Sequence, residues 1–256
     1  HRHSSAASDV YKRQLIDNAV SQKPKGIVIT LPDAAALGKS VKAAIAAGIP
    51  VVSMNSGSDD YASLGISAHV GQTEFEAGVG GGQKMKAAGG KKALCVNHEV
   101  GNVALDRRCA GFKKGFGGSV DILGTSNDPT EIQKAVAAKL GGGYDTILTL
   151  GAGLSGEAAL KALEAAGKVG NVKLGTFDMS PNMLKAAAAG KVEFLIDQQQ
   201  YLQGYLPIAI FAQYMRWGTM PAGVVMTGPR SSHNYTSRHC SPSHVLSKYS
   251  YRQITL

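Results

Sequence analysis

Between Leu15 and Pro229, short β-branched runs alternate with alanine-rich stretches of helical period, and this alternation constrains the fold more than any other feature of the chain. Repeated βα units build parallel sheets, because parallel neighbours need a crossover between them. Strands are expected at Gly26–Leu31, Pro50–Met54, Gly65–Val70, Lys92–Asn97, Val120–Thr125, Thr146–Leu150, Val172–Phe177 and Val192–Asp197. Helices are expected at Ala34–Ala47, Glu74–Ala88, Val103–Phe116, Thr130–Leu140, Ser155–Ala166 and Pro181–Ala189. In Thr130–Leu140, Asn127 or Asp128 can cap, Pro129 suits the first turn, and Ile132, Val136 and Leu140 recur at i, i+4, i+8. The glycine cluster Gly78-Val-Gly80-Gly81-Gly82 falls inside a helical stretch and reads as a site of close helix packing.

The formal charge of +9 suggests a polyanion partner until it is located. Residues 1–14 and 230–256 hold seven of the 27 basic residues and one of the 18 acids, which leaves 15–229 at +3 with no basic stripe. A nucleic-acid partner is therefore not expected. No run approaches the roughly 20 apolar residues of a bilayer span, so stable membrane insertion is not expected either. The opening run from Ser4 to Gln14 looks like translated sequencing adapter, so residues 1–14 are set aside. Residues 230–256 shift to Ser, His, Arg and Tyr without an apolar period, and read as an aberrant or disordered tail.

Cys95, Cys109 and Cys240 form no CxxC pair and no metal-ligand spacing with the histidines, so neither metal nor other cofactor is expected. A Cys95–Cys109 bridge is open on sequence alone. The strongest enzyme signal is Gly151-Ala-Gly153-Leu-Ser-Gly156, a GxGxxG that follows a strand, opens a helix and precedes Asp178 by 22 residues. That spacing suits a dinucleotide. Nothing near it supplies a hydride-transfer or proton-transfer group, and no nucleophile elbow or paired Ser/His spacing accompanies His69 or His98. Polar residues collect instead where strands end, at Asp33, Asn55, Gln72, Asp178 and Gln198, the place where open α/β sheets bind ligands.

The series Gly26-Ile-Val-Ile-Thr-Leu-Pro-Asp33, Ala47-Gly-Ile-Pro-Val-Val-Ser-Met-Asn55, Arg108-Cys-Ala-Gly-Phe112, Leu174-Gly-Thr-Phe-Asp178 and Gly190-Lys-Val-Glu-Phe-Leu-Ile-Asp-Gln198 resembles the periplasmic sugar-binding proteins of ABC transporters, the group similar to ribose-binding protein. The resemblance implies an α/β fold of two Rossmann-like lobes with parallel sheets joined by a hinge. It places the first lobe at 15–72 plus 199–222 and the second at 73–198 plus 223–229. It also implies that an N-terminal strand and loop are missing, so the first lobe is incomplete and the chain binds ligand weakly or not at all.

By the same resemblance the ligand-binding positions are Asn55, Gln72, Arg108, Asp178 and Gln198, with Asp33, Glu99, Phe177 and Ala152 as further contacts. Asn55 and Ser56 stand where ribose-binding members carry an acid and an arginine, a departure that puts ribose itself in doubt. Asp, Asn, Gln and Arg hydrogen-bond in fixed directions and suit sugar hydroxyls, while Phe177 could stack on an apolar sugar face. The implied protein is a periplasmic monomer, or a lipid-anchored one in a Gram-positive cell. It captures a monosaccharide or polyol and delivers it to ABC permease subunits. Two alternatives are the sensing domain of a sugar-responsive transcription regulator and a dinucleotide enzyme using Gly151–Gly156 with Asp178.

Overall fold

The computed structural model describes residues 2–231, and the βα alternation closes into two sheets. The first contains β1 (Ile27–Ile29), β2 (Val51–Asn55), β3 (Ala68–Gln72) and β9 (Gly223–Gly228) in the order β1-β2-β3-β9, all parallel. The second contains β4 (Lys92–Asn97), β5 (Ser119–Gly124), β6 (Thr146–Thr149), β7 (Lys173–Phe177), β8 (Phe194–Asp197) and β10 (Arg230–Ser231). Its order is β10-β8-β7-β6-β4-β5, and only β10 runs antiparallel. The chain passes between sheets after Gln72, after Asp197 and after Gly228.

Both faces of each sheet are covered, as the period-2 strand pattern requires. In the first lobe, Ile27, Ile29 and Val51 pack against α1 (Arg2–Ser21) and α2 (Ala34–Ala46) through Ile16, Leu37, Val41 and Ala44. Their alternates Val28, Val52 and Val70 pack against Ile210 and Phe211 of α8 (Gln200–Trp217). In the second lobe, Leu94, Val96, Ile147 and Leu174 meet α5 (Pro129–Lys139), α6 (Glu157–Ala165) and α7 (Pro181–Ala188). On the opposite face, Ala93, Cys95, Leu148 and Phe194 meet α3 (Glu74–Ala87) and α4 (Val103–Phe116). There Cys95 is disulfide-bonded to Cys109.

Each expected strand and helix is present, with ends moved by a few residues where local chemistry decides. β3 starts at Ala68 because Gly65, at φ 83°, ends a 3-10 turn over Ala62–Leu64. α6 starts at Glu157 because Ala152–Gly156 forms a π turn. One assignment changes. Residues 223–228 belong to the first sheet, not the second lobe, because β9 pairs along β3 and satisfies that strand's otherwise open backbone edge. Residues 2–14, set aside on sequence as adapter-like, form the N-terminal part of α1. Of the expected tail, Arg230–Ser231 pair with β8 as β10, and 232–256 lie outside the described residues.

Candidate functional site

A glycine seam positions the site. A Cβ at Gly78 would lie 2.2 Å from Arg108 O, at Gly82 2.4 Å from Phe112 O, at Gly111 2.0 Å from Phe75 O, and at Gly115 2.0 Å from Val79 O. α3 and α4 therefore touch backbone to backbone, as the glycine cluster suggested. That approach sets Arg108 on α4 against Glu74 in the first turn of α3, both almost fully buried.

Arg108 is the hub. Its Nε donates to Glu74 Oε2 at 2.5 Å and its Nη2 to Glu74 Oε1 at 3.1 Å, a bidentate pair. Nη1 donates to Leu150 O at 3.1 Å, and Nη2 also to Gln198 Oε1 at 3.2 Å. The guanidinium lies over the Phe177 ring, 4.5 Å from its centroid. Phe177, expected to stack on a sugar face, is fully buried in the second-lobe core, where its ring is a cation–π platform for Arg108.

Gln198, at the crossover from β8 to α8, joins the lobes. Its Oε1 accepts from Arg108 and from Asn55 Nδ2 at 3.1 Å, while its Nε2 donates to Asp178 Oδ1 at 2.5 Å. Asn55 and Asp178 end β2 and β7 in left-handed conformations, φ 64° and 67°, which Asn and Asp tolerate better than most residues. Gln72 Nε2 donates to Glu74 Oε2 at 2.9 Å, and its Oε1 is buried with no partner among the described residues. Five expected positions, Asn55, Gln72, Arg108, Asp178 and Gln198, thus form one hydrogen-bonded cluster.

Sequence reading missed Glu74 and Gln203. Glu74 looked like an ordinary acid at a helix N-terminus; the signal was an arginine, Arg108, with no assigned counter-charge. Gln203 lies in the first turns of α8, accepts from Asn55 Nδ2 at 3.0 Å and donates to Thr227 Oγ1 at 3.2 Å. Three expected contacts stand apart from the hub. Asp33 caps α2 by accepting from Ala36 N at 2.9 Å, Glu99 accepts from Asn102 Nδ2 at 3.0 Å, and Ala152 packs in the hydrophobic core.

Burial and charge set the electrostatics. Burial pushes the Asp178 carboxyl above the usual aspartate range, against the opposing pull of Arg108 and the Gln198 hydrogen bond. Burial works to lower the Arg108 pKa, but Glu74 and Asp178 outweigh it and raise it further. His98, 3.3 Å from Ser155 Oγ through Nδ1, is lowered by burial, with Glu99 opposing. In the GxGxxG turn the amides of Ser155 and Gly156 already donate to Gly151 O, at 3.1 and 2.8 Å, so they are not free for a pyrophosphate.

A family model described as periplasmic binding protein domain matches residues 5–219. The chain belongs to that family. The periplasmic binding protein fold recurs in a carbohydrate transporter from Acidothermus cellulolyticus 11B crystallised with myo-inositol. That protein is 34% identical, with a TM-score of 0.83 over 87% of this chain and 79% of its own. An ABC transporter solute-binding protein from Burkholderia graminis C4D1M in complex with D-arabinose shares the fold at 22% identity, with a TM-score of 0.78 over 87% of this chain and 80% of its own. Among curated proteins, the xylose/arabinose-binding protein XylF of Sulfolobus acidocaldarius is 24% identical over 218 residues, 78% of this chain and 54% of the relative. The chain spans about half the length of that curated relative.

Proposed function

We propose that this chain is the solute-binding component of an ABC transporter, holding an uncharged monosaccharide or polyol between its lobes and passing it to membrane permease subunits. The observation that carries the reading is Gln198. One side chain bonds Asn55 from the first lobe and both Arg108 and Asp178 from the second. Amide, carboxylate and guanidinium groups there present donors and acceptors in fixed directions. Sugar hydroxyls, each donor and acceptor at once, can replace these bonds one for one. Gln72 Oε1 adds a buried acceptor suited to a hydroxyl donor.

A ligand that touches both lobes stabilises the closed state by its extra contacts there. The relatives that bind myo-inositol and D-arabinose support a cyclitol or pentose as the first ligands to try. A buried Cys95–Cys109 disulfide suits an oxidising compartment such as the periplasm. Among the described strands, β1 pairs only with β2 and leaves its other edge open, so weak affinity is the expectation. Saturation-transfer NMR, which detects millimolar binding, is the matching test. Transfer to a pentose, hexose or cyclitol supports the reading, and no transfer to any of them contradicts it.

A further inference from the structure

One buried ion beside the hydroxyl-binding groups makes no contact suited to a sugar hydroxyl. Glu74 is 4% exposed and has no place in a list of hydroxyl contacts, yet it grips Arg108 with both oxygens. Counting its bonds to Glu74, Leu150 O and Gln198, the guanidinium has engaged four of its five N–H groups. Its forked face, the one that would receive a carboxylate or phosphate, is filled by Glu74. Asp178, bridged to Arg108 through Gln198, adds a second carboxylate to a cluster with one guanidinium. An anionic ligand would therefore meet a cation already paired and an acid not fully offset.

Resting on the sugar-binding reading, we propose that Glu74 is a specificity-determining residue: by occupying the Arg108 fork it reserves the site for uncharged polyols and rejects sugar acids. Glu74 acts through Arg108 and so is a positioning residue. Its removal frees two N–H groups and one positive charge beside the ligand. A structural role alone would weaken neutral and anionic ligands together. A charge role shifts their ratio.

The test is ligand-observed NMR at constant ionic strength with D-arabinose, myo-inositol and D-arabinonate, on wild type, Glu74→Gln and the double variant Glu74→Gln/Arg108→Gln. Relative to the neutral ligands, arabinonate should gain about tenfold or more in E74Q, and the double variant should lose the gain. An E74Q protein with the wild-type ratio overturns the proposal. Should E74Q fail to melt cooperatively, the wild-type ratio decides: rejection of arabinonate by about tenfold supports the proposal, and equal binding of arabinonate and arabinose overturns it. Failure of wild type to bind any neutral ligand sinks the sugar-binding reading itself. Neutral binding with an unshifted ratio sinks only the role of Glu74.

Discussion

Arg107 Nη2 on α4 lies 3.0 Å from Asp59 Oδ2 in the loop after β2, an ion pair that spans the two lobes. Nearby, the Val103 amide donates to Pro32 O at 3.0 Å, a second bond between the lobes at the start of the same helix. Together they tie α4 to the loops that follow β1 and β2.

Arg107→Glu should favour the open form. Both partners are about half exposed, so the pair contributes at most ~1 kcal/mol, or roughly fivefold in the closed population. Small-angle scattering should report a larger radius of gyration for R107E, and the charge swap Asp59→Arg/Arg107→Glu should restore it. High salt should mimic the single variant. No expansion in R107E would show that the pair does not hold the lobes.

Gly111→Ala should loosen the second lobe. Its Cβ would fall 2.0 Å from Phe75 O, a backbone atom with no rotamer in which to retreat, so a loss of about 1–3 kcal/mol or more is expected in urea unfolding. Ligand affinity should fall with it, because the same approach presses Arg108 against Glu74. Gly80→Ala is the contrast: it lies on α3, with nothing among the described residues within 4 Å of the added methyl, and should gain about 0.5–1 kcal/mol.

His69 should shape the acid limb of stability. It is buried beside Ser53, whose hydroxyl lies 3.0 Å from Nδ1, and burial lowers its pKa to about 4 while the Asp59 charge works the other way. The folded value lies below the ordinary 6.5, so the stabilisation is fully present above pH 6.5 and is lost as pH falls towards 4. The whole effect is of order 3 kcal/mol. His69→Phe should flatten that limb, at a neutral-pH cost of about 1 kcal/mol for the Ser53 hydroxyl left without its partner. Equal acid limbs for the two proteins would contradict the assignment.

The two-sheet architecture was legible in sequence because periodicity is local: each strand alternates across its own sheet and each helix carries its own stripe. β9 was misassigned for the opposite reason, since Gly223–Gly228 is apolar enough for either sheet and only the free edge of β3 selects one. The site divides along the same line. Asn55, Asp178 and Gln198 stand at strand ends and announce themselves by position. Glu74 does not, because an acid in a first helical turn already has a local reason to be there. Gln203 is concealed by the apolar helix around it. Phe177 was read as a sugar-stacking ring because its partner, Arg108, comes from α4, whose approach depends on a glycine seam formed in three dimensions.

The central claim, that this cluster binds an uncharged polyol, turns on Asp178. Because burial raises its pKa in the fold, this carboxyl favours the native state at low pH, and that contribution is lost as pH rises through the raised value. Asp178→Asn keeps an acceptor for Gln198 and should fold at least as stably, yet lose a charged acceptor for hydroxyls, about tenfold in affinity or more. The decisive measurement is an NMR titration of wild type and D178N with D-arabinose, D-xylose and myo-inositol, beside their unfolding curves. The account predicts binding by wild type and about a tenfold or greater loss in an equally stable D178N. Equal binding by both proteins, or none by wild type at tens of millimolar, would contradict it.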